Sequence, residues 1–112
     1  NPDAIGRLSR IEMDTIKHFN RFLVEMDEIQ EEGGSLLDHT TVVMGSNFGD
    51  SSNHTCDGLP IIVAGGGHEH QIHTVLEEPT PLCNLYLELL HVHNIDVGSF
   101  GSSQSDMGLL GS

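Results

Sequence analysis

Residues Thr40–Gly67 read TTVVMGSNFGDSSNHTCDGLPIIVAGGG. Two apolar, β-branched runs, Thr41–Met44 and Leu59–Ala64, enclose a polar loop. Residues of this kind fit a pleated, half-buried or buried surface, so each run predicts a strand. The loop holds Asn47, Asp50, Asn53, His54 and Asp57, and Gly65-Gly66-Gly67 breaks the second run. The near-continuous apolar character of Thr41–Met44 predicts burial on both faces, as in a parallel sheet. In open α/β sheets ligands collect at loops beyond the carboxyl ends of strands. The candidate chemical site is therefore Ser46–Asp57.

Outward toward the N-terminus, Asn1-Pro2-Asp3 is a helix-start signal: a cap, a first-turn proline and an acid at the positive end of the dipole. Ile5, Leu8, Ile11, Ile16, Phe19, Phe22, Leu23, Met26 and Ile29 recur at helical spacing. They predict one amphipathic helix from Asp3 to Glu32, with Gly33-Gly34 as its C-cap. Ser35–His39 is a connection in which Leu36 and Leu37 pack beneath the helix end. Toward the C-terminus, His68–Leu76 is read as a hairpin or short edge strand. Thr80-Pro81 supplies a cap and first-turn proline, Leu82–His93 a second helix, and Asn94-Ile95-Asp96 its close. Val97–Ser112 is a Gly/Ser-rich tail with Phe100, Met107 and Leu109-Leu110 as anchors. The chain thus divides into a long helix (1–34), strand-loop-strand (35–67), hairpin and helix (68–96) and tail (97–112).

A length of 112 residues fits one domain or part of one. The chain opens without Met, and we read it as the C-terminal piece of a longer one. With no Trp and one Tyr, its core is aliphatic. No apolar run is long enough to span a bilayer, and nothing resembles a signal peptide. The net charge is -13, and all four basic residues lie at or before Arg21. Phosphate backbones need cationic neutralisation, so nucleic acid is excluded as a partner. Membrane insertion is excluded as well. Cys56 and Cys83 form no CxxC and read as free thiols, or as a disulfide if the compartment oxidises.

Several residue groups could carry chemistry. Asn47, Asp50, His54 and Asp57 offer oxygen and imidazole donors of the kind divalent metals take; the bland alternative is a polar loop with Asx turns. His68, His70 and His73 share no one face in any single regular conformation, and HEHQIH is not HExxH. His18 reads as a surface or packing residue, and His91 and His93 as surface or capping residues. Gly65-Gly66-Gly67 is a turn, neither a dinucleotide fingerprint nor a Walker loop. Ser46, Ser51 and Ser52 lie in no GxSxG elbow, so a serine triad has no support.

The central stretch resembles the C-terminal part of the alkaline phosphatase superfamily. There an apolar strand ends in Ser/Ala-Asp-His-Gly, and a later His-Thr precedes, by six residues, a proline opening the next strand. Val42–Gly49 stands at the first motif, with Asn47 in place of the aspartate and Phe48 in place of the histidine. His54-Thr55 and Pro60–Val63 stand at the second with the spacing intact. A closer resemblance is to a family of secreted bacterial proteins of unknown function related to that superfamily. It rests on Gly34–Thr40, Gly45–Gly49, His54, Leu59-Pro60, Ala64–Gly67, Thr80–Tyr86 and Ser99–Gly101.

That resemblance implies an α/β fold: the C-terminal fragment of an alkaline-phosphatase-like three-layer domain, with two strands of a mostly parallel sheet flanked by helices. It implies a secreted or periplasmic location, with the upstream remainder of the domain as the partner of this piece. His54 would be a metal ligand, with Asn47 and Asp50 adding oxygen to a divalent metal such as zinc. Two functions follow. One is a non-catalytic relative whose metal site has degraded. The other is a metal-dependent phosphoester or sulfoester hydrolase whose nucleophile lies upstream.

Overall fold

The computed structural model describes residues 1–47, 49–50, 53–70 and 73–110. The chain forms two compact units, Asn1–Thr40 and Thr41–Ser112.

In the first unit, α1 spans Pro2–Glu28. Asn1 caps it: its Oδ1 accepts the Asp3 N–H at 3.0 Å, with proline in the first turn. This satisfies one of the donors a helix start leaves orphaned. Asp14–His18 (3.4 Å) and Arg21–Glu25 (3.3 Å) pair one turn apart on the exposed face.

The helix ends at Glu28, short of the glycines, and Ile29 is extended at φ -80° and ψ 117°. Gly33-Gly34 is therefore no helix cap. It belongs to a small antiparallel hairpin of β1 (Gln30–Glu31) and β2 (Gly34–Ser35), paired Gln30↔Ser35 and Glu31↔Gly34. The second position of its two-residue turn lies at φ +88°, the left-handed region that glycine enters without penalty. A glycine just beyond a periodic run marks either device, and here the hairpin wins.

Ser35 fastens this hairpin to the helix. Its N–H donates to Asp38 Oδ2 at 2.9 Å, and its Oγ accepts the Asp38 N–H at 3.1 Å. Its hydroxyl donates to Asp27 Oδ1 at 3.0 Å on the last turn of α1. The Asp38 carboxyl is held below its ordinary range, chiefly by the Ser35 N–H and then by the Ser35 hydroxyl.

In the second unit, β3 (Thr41–Gly45) and β4 (Ile61–Gly65) fall where the sequence predicts strands, but they pair antiparallel. The register runs from Thr41↔Gly65 through Val43↔Val63 to Gly45↔Ile61. The expectation of two strands in a mostly parallel sheet is corrected. A parallel return needs a crossover, usually a helix. Residues 46–60 carry no helical period, and their described part folds back on itself as a hairpin tip. Burial on both faces fails too, since Val43 and Ile62 are exposed. The architecture is mixed helix and strand with two small antiparallel sheets.

Among the described residues of 68–76 there is no strand, so the expected hairpin there is absent; Gln71 and Ile72 lie outside the described residues. The second helix, α2, spans Leu82–Val92. Pro81 occupies the cap position itself, without a side-chain cap bond, and Thr80 Oγ1 donates back to the Glu78 carbonyl at 2.9 Å. The helix closes with a Schellman pattern: Ile95 N–H to Leu90 O at 2.9 Å and Asn94 N–H to His91 O at 3.0 Å, with Asn94 at φ +62°.

Leu85 and Leu87, the latter 2% exposed, form the apolar core of this unit. The segment 97–110 is clasped to α2 by polar side chains. Asn84 Oδ1 accepts the Gln104 N–H at 2.8 Å, and Glu88 Oε1 accepts the Leu110 N–H at 3.1 Å. His91 contacts the Val97 carbonyl through Nε2 (2.7 Å) and Asp106 through Nδ1 (3.0 Å). Phe100, an expected anchor, meets Tyr86 edge to face at 5.9 Å. No described helix is long and apolar enough to cross a membrane.

Candidate functional site

The predicted site is the tip of the β3–β4 hairpin. Past β3 the strands draw together again at a bridge between Asp50 and Thr55, with Gly49 N–H to Thr55 O at 2.9 Å and Thr55 N–H to Asp50 O at 3.2 Å. The Asp50 carboxylate accepts the Asn53 side-chain amide at 2.7 Å and its backbone N–H at 3.4 Å. This is the Asx chemistry by which short polar side chains close turns. Gly49 is required on steric grounds, because any Cβ there would collide with the Asp57 carbonyl. The loop thus doubles back so that 57 covers 49.

His54 sits within this turn at φ +52° and is exposed, as is Asn47. A side chain larger than glycine pays steric cost in that region, and residues held there concentrate at functional sites. Asn47, Asp50 and His54 belong to one exposed tip, with a single imidazole and a single carboxylate among them. Among the described residues, no group of three or more His, Cys, Asp and Glu side chains is arranged to hold a metal ion. Phe48, Ser51 and Ser52 lie outside the described residues. Cys56 and Cys83 are free thiols.

The structure gathers a second set of polar residues at the opposite end of the hairpin. Thr41 Oγ1 lies 3.2 Å from His68 Nε2 and 2.8 Å from His93 Nε2. Three elements meet at this hydroxyl: the start of β3, the turn after β4 and the end of α2. The triple glycine makes it possible. Gly65, Gly66 and Gly67 all have φ between 68° and 78°, and a Cβ on Gly66 would strike both Thr41 and His68. The turn brings His68 against Thr41 on the neighbouring strand. His70 reaches the Gly65 carbonyl at 3.2 Å, and its ring stands edge-on to His68 at 6.3 Å.

One hydroxyl between two imidazoles constrains their protons. It can donate to only one Nε2, so at least one of the two rings presents Nε2–H to it. Burial holds the His68 pKa below the ordinary value. The neighbouring His70 and His93 push it the same way, and Glu88 opposes them. Glu88 is 4% exposed, and its Oε2 has no hydrogen-bond partner among the described residues.

The sequence singles out His68 and His70, but together with His73, which is exposed. It reads His93 as a surface or capping residue, and His93 is indeed the exposed C-cap of α2, but it passes over Thr41 and Glu88. No spacing rule links positions this far apart in the chain. Only the antiparallel register, which sets Thr41 opposite Gly65, brings them together. No family model, curated protein or solved structure matches this chain.

Proposed function

We propose that this chain is a non-catalytic α/β module, the C-terminal portion of an alkaline-phosphatase-like, secreted or periplasmic protein, in which the loop that would bear metal has become a structural hairpin tip. The observation that carries this reading is the use made of Asp50: its carboxylate closes the turn on Asn53 at 2.7 Å, and its backbone forms the bridge to Thr55. The Asp50 carboxylate is thus engaged in closing the hairpin tip. The substitutions of Asn47 and Phe48 at the resembled motif agree with this, since each removes an ionisable or imidazole donor. The role left to the module is binding or surface organisation.

One observation favours a second reading, a metal-dependent phosphoester or sulfoester hydrolase. His54 is held at φ +52° in the loop following β3, the backbone signature of a positioned rather than incidental side chain. In that case His54, Asn47 and Asp50 would contribute to a divalent metal such as zinc, which polarises an ester oxygen.

Bound metal in the full-length protein, upstream region included, measured by mass spectrometry after dialysis against zinc, decides between them in the wild type, His54→Ala and His68→Ala. The non-catalytic module gives equal content in all three and no metal-stimulated cleavage of aryl phosphate or sulfate esters. Metal lost in His54→Ala alone, together with ester cleavage by the wild type, establishes the hydrolase.

A further inference from the structure

The molecule's largest unused feature is the apolar face of α1. At roughly 100° per residue Ile5, Leu8, Ile11, Ile16, Phe19, Phe22, Leu23 and Met26 fall within an arc of about 140°, while Met13 and Val24 lie outside it. Met26 is buried, yet Ile5 (65%), Ile11 (64%) and Phe22 (47%) are widely exposed, and Leu8, Ile16 and Ile29 are exposed with them. The helix is about 40 Å long at 1.5 Å per residue, so this is a continuous strip rather than scattered surface residues.

We propose that the strip is a self-association surface, on which α1 of a second copy of this chain packs antiparallel across a two-fold axis near Ile16. The charges beside the strip select this occupant. Arg7, Asp14, His18 and Glu25 lie along the same flank of the helix. In an antiparallel pair, each flank meets the same flank of the partner, running the other way. Arg7 and Glu25 are equidistant from Ile16, as are Asp14 and His18. A two-fold axis there sets each Arg7 against a Glu25 and each Asp14 against a His18, and no like charges on this flank face each other. Both contacts occur twice, as an isologous interface requires. Asp14–His18 and Arg21–Glu25 already contact each other within the helix, so the second copy extends existing polar contacts along the flank. A Glu12 carboxylate stands within the apolar arc, and its position facing Asn20 of the second copy gives it an amide to bond.

The surface is separate from the hairpin tip, and the proposal stands whichever function the tip has. Sedimentation equilibrium of the chain from low to high micromolar concentration tests it. The wild type is expected to show a monomer–dimer equilibrium that weakens with salt. Arg7→Glu places like charges together twice per dimer and is expected to raise the dissociation constant about tenfold. The double variant Arg7→Glu/Glu25→Arg restores opposite signs and is expected to recover most of that loss. Phe22→Asp, with helix content checked by circular dichroism, is expected to give monomer only. A wild type that stays monomeric throughout overturns the proposal and leaves the strip to another segment of a longer chain. An Arg7→Glu variant that associates like the wild type, or a double variant weaker than the single, overturns the antiparallel arrangement.

Discussion

Single residues hold this structure at three tight points, and each makes a prediction. Ser35 is buried and serves as donor and acceptor at once, tying Asp38 and Asp27 together. Ser35→Ala removes both hydroxyl contacts and leaves the Asp38 N–H without its acceptor. It is expected to cost about 1 kcal/mol, the value of a lost cap, in a urea melt. His54 at φ +52° is the reverse case. If its conformation only serves the turn, His54→Gly relieves the steric penalty and leaves stability unchanged or raised by up to about 1 kcal/mol. A loss of more than about 1 kcal/mol means that the imidazole makes contacts the fold depends on. Gly66 admits no side chain, because Thr41 and His68 occupy the space. Gly66→Ala is expected to detach His68 from Thr41, seen as a shift of the His68 ring resonances toward those of a solvated histidine.

At the scale of elements, the histidine cluster makes the second unit sensitive to acid. The His68 pKa is lowered on folding from 6.5, so the unfolded state binds its proton first. The stabilisation is fully present above pH 6.5 and is lost as pH falls through the lower, folded value. His91 works in the opposite sense. The Val97 carbonyl and then Asp106 raise its pKa, so its contribution is present below 6.5 and fades as pH rises through the folded value. Thermal melts between pH 7.5 and 5 separate the two. Replacement of His68 by Gln is expected to flatten the acid-side loss, whereas His91→Gln steepens it by removing the compensating group.

The same elements show what the sequence could and could not tell. Both helices and both five-residue strands were legible, because β-branched runs and helical spacing are local signals. The end of α1 was misplaced because Gly33-Gly34 serves a hairpin turn as well as a cap. The parallel pairing was misjudged because apolar continuity reports burial, whereas strand direction depends on the connection. Asn94 was legible as the close of α2, and its Schellman geometry predicts that Asn94→Val costs about 1–2 kcal/mol, since a β-branched residue is strained at φ +62°. That His54, Asn47 and Asp50 share one polar loop between the two strands was legible in the sequence. The Thr41–His68–His93 contact was not, because it joins residues that only tertiary structure makes neighbours.

At the scale of the whole molecule, the buried apolar residues among those described are Met26 in the first unit and Leu85 and Leu87 in the second, while many large apolar side chains remain exposed. Small cores stabilise weakly, so the monomeric chain is expected to melt below about 60 °C. Because association stabilises the folded state by mass action, the melting temperature is expected to rise with protein concentration. A concentration-independent melt above about 60 °C contradicts both expectations.

The central claim is that β3 and β4 form an antiparallel hairpin, since this carries the tip at one end and the Thr41 cluster at the other. The most direct measurement is a nuclear Overhauser spectrum of the labelled chain at the adjacent pairs Val42–Ala64 and Val43–Val63. Antiparallel ladders alternate wide and close pairs, and in the close pair the α-carbons approach to about 4.5 Å. The account predicts a strong Hα–Hα cross-peak at one of these two pairs. Absence of such cross-peaks along both strands, with Thr41 remote from Gly65, would contradict the hairpin and revive the parallel sheet with its strand-end metal site.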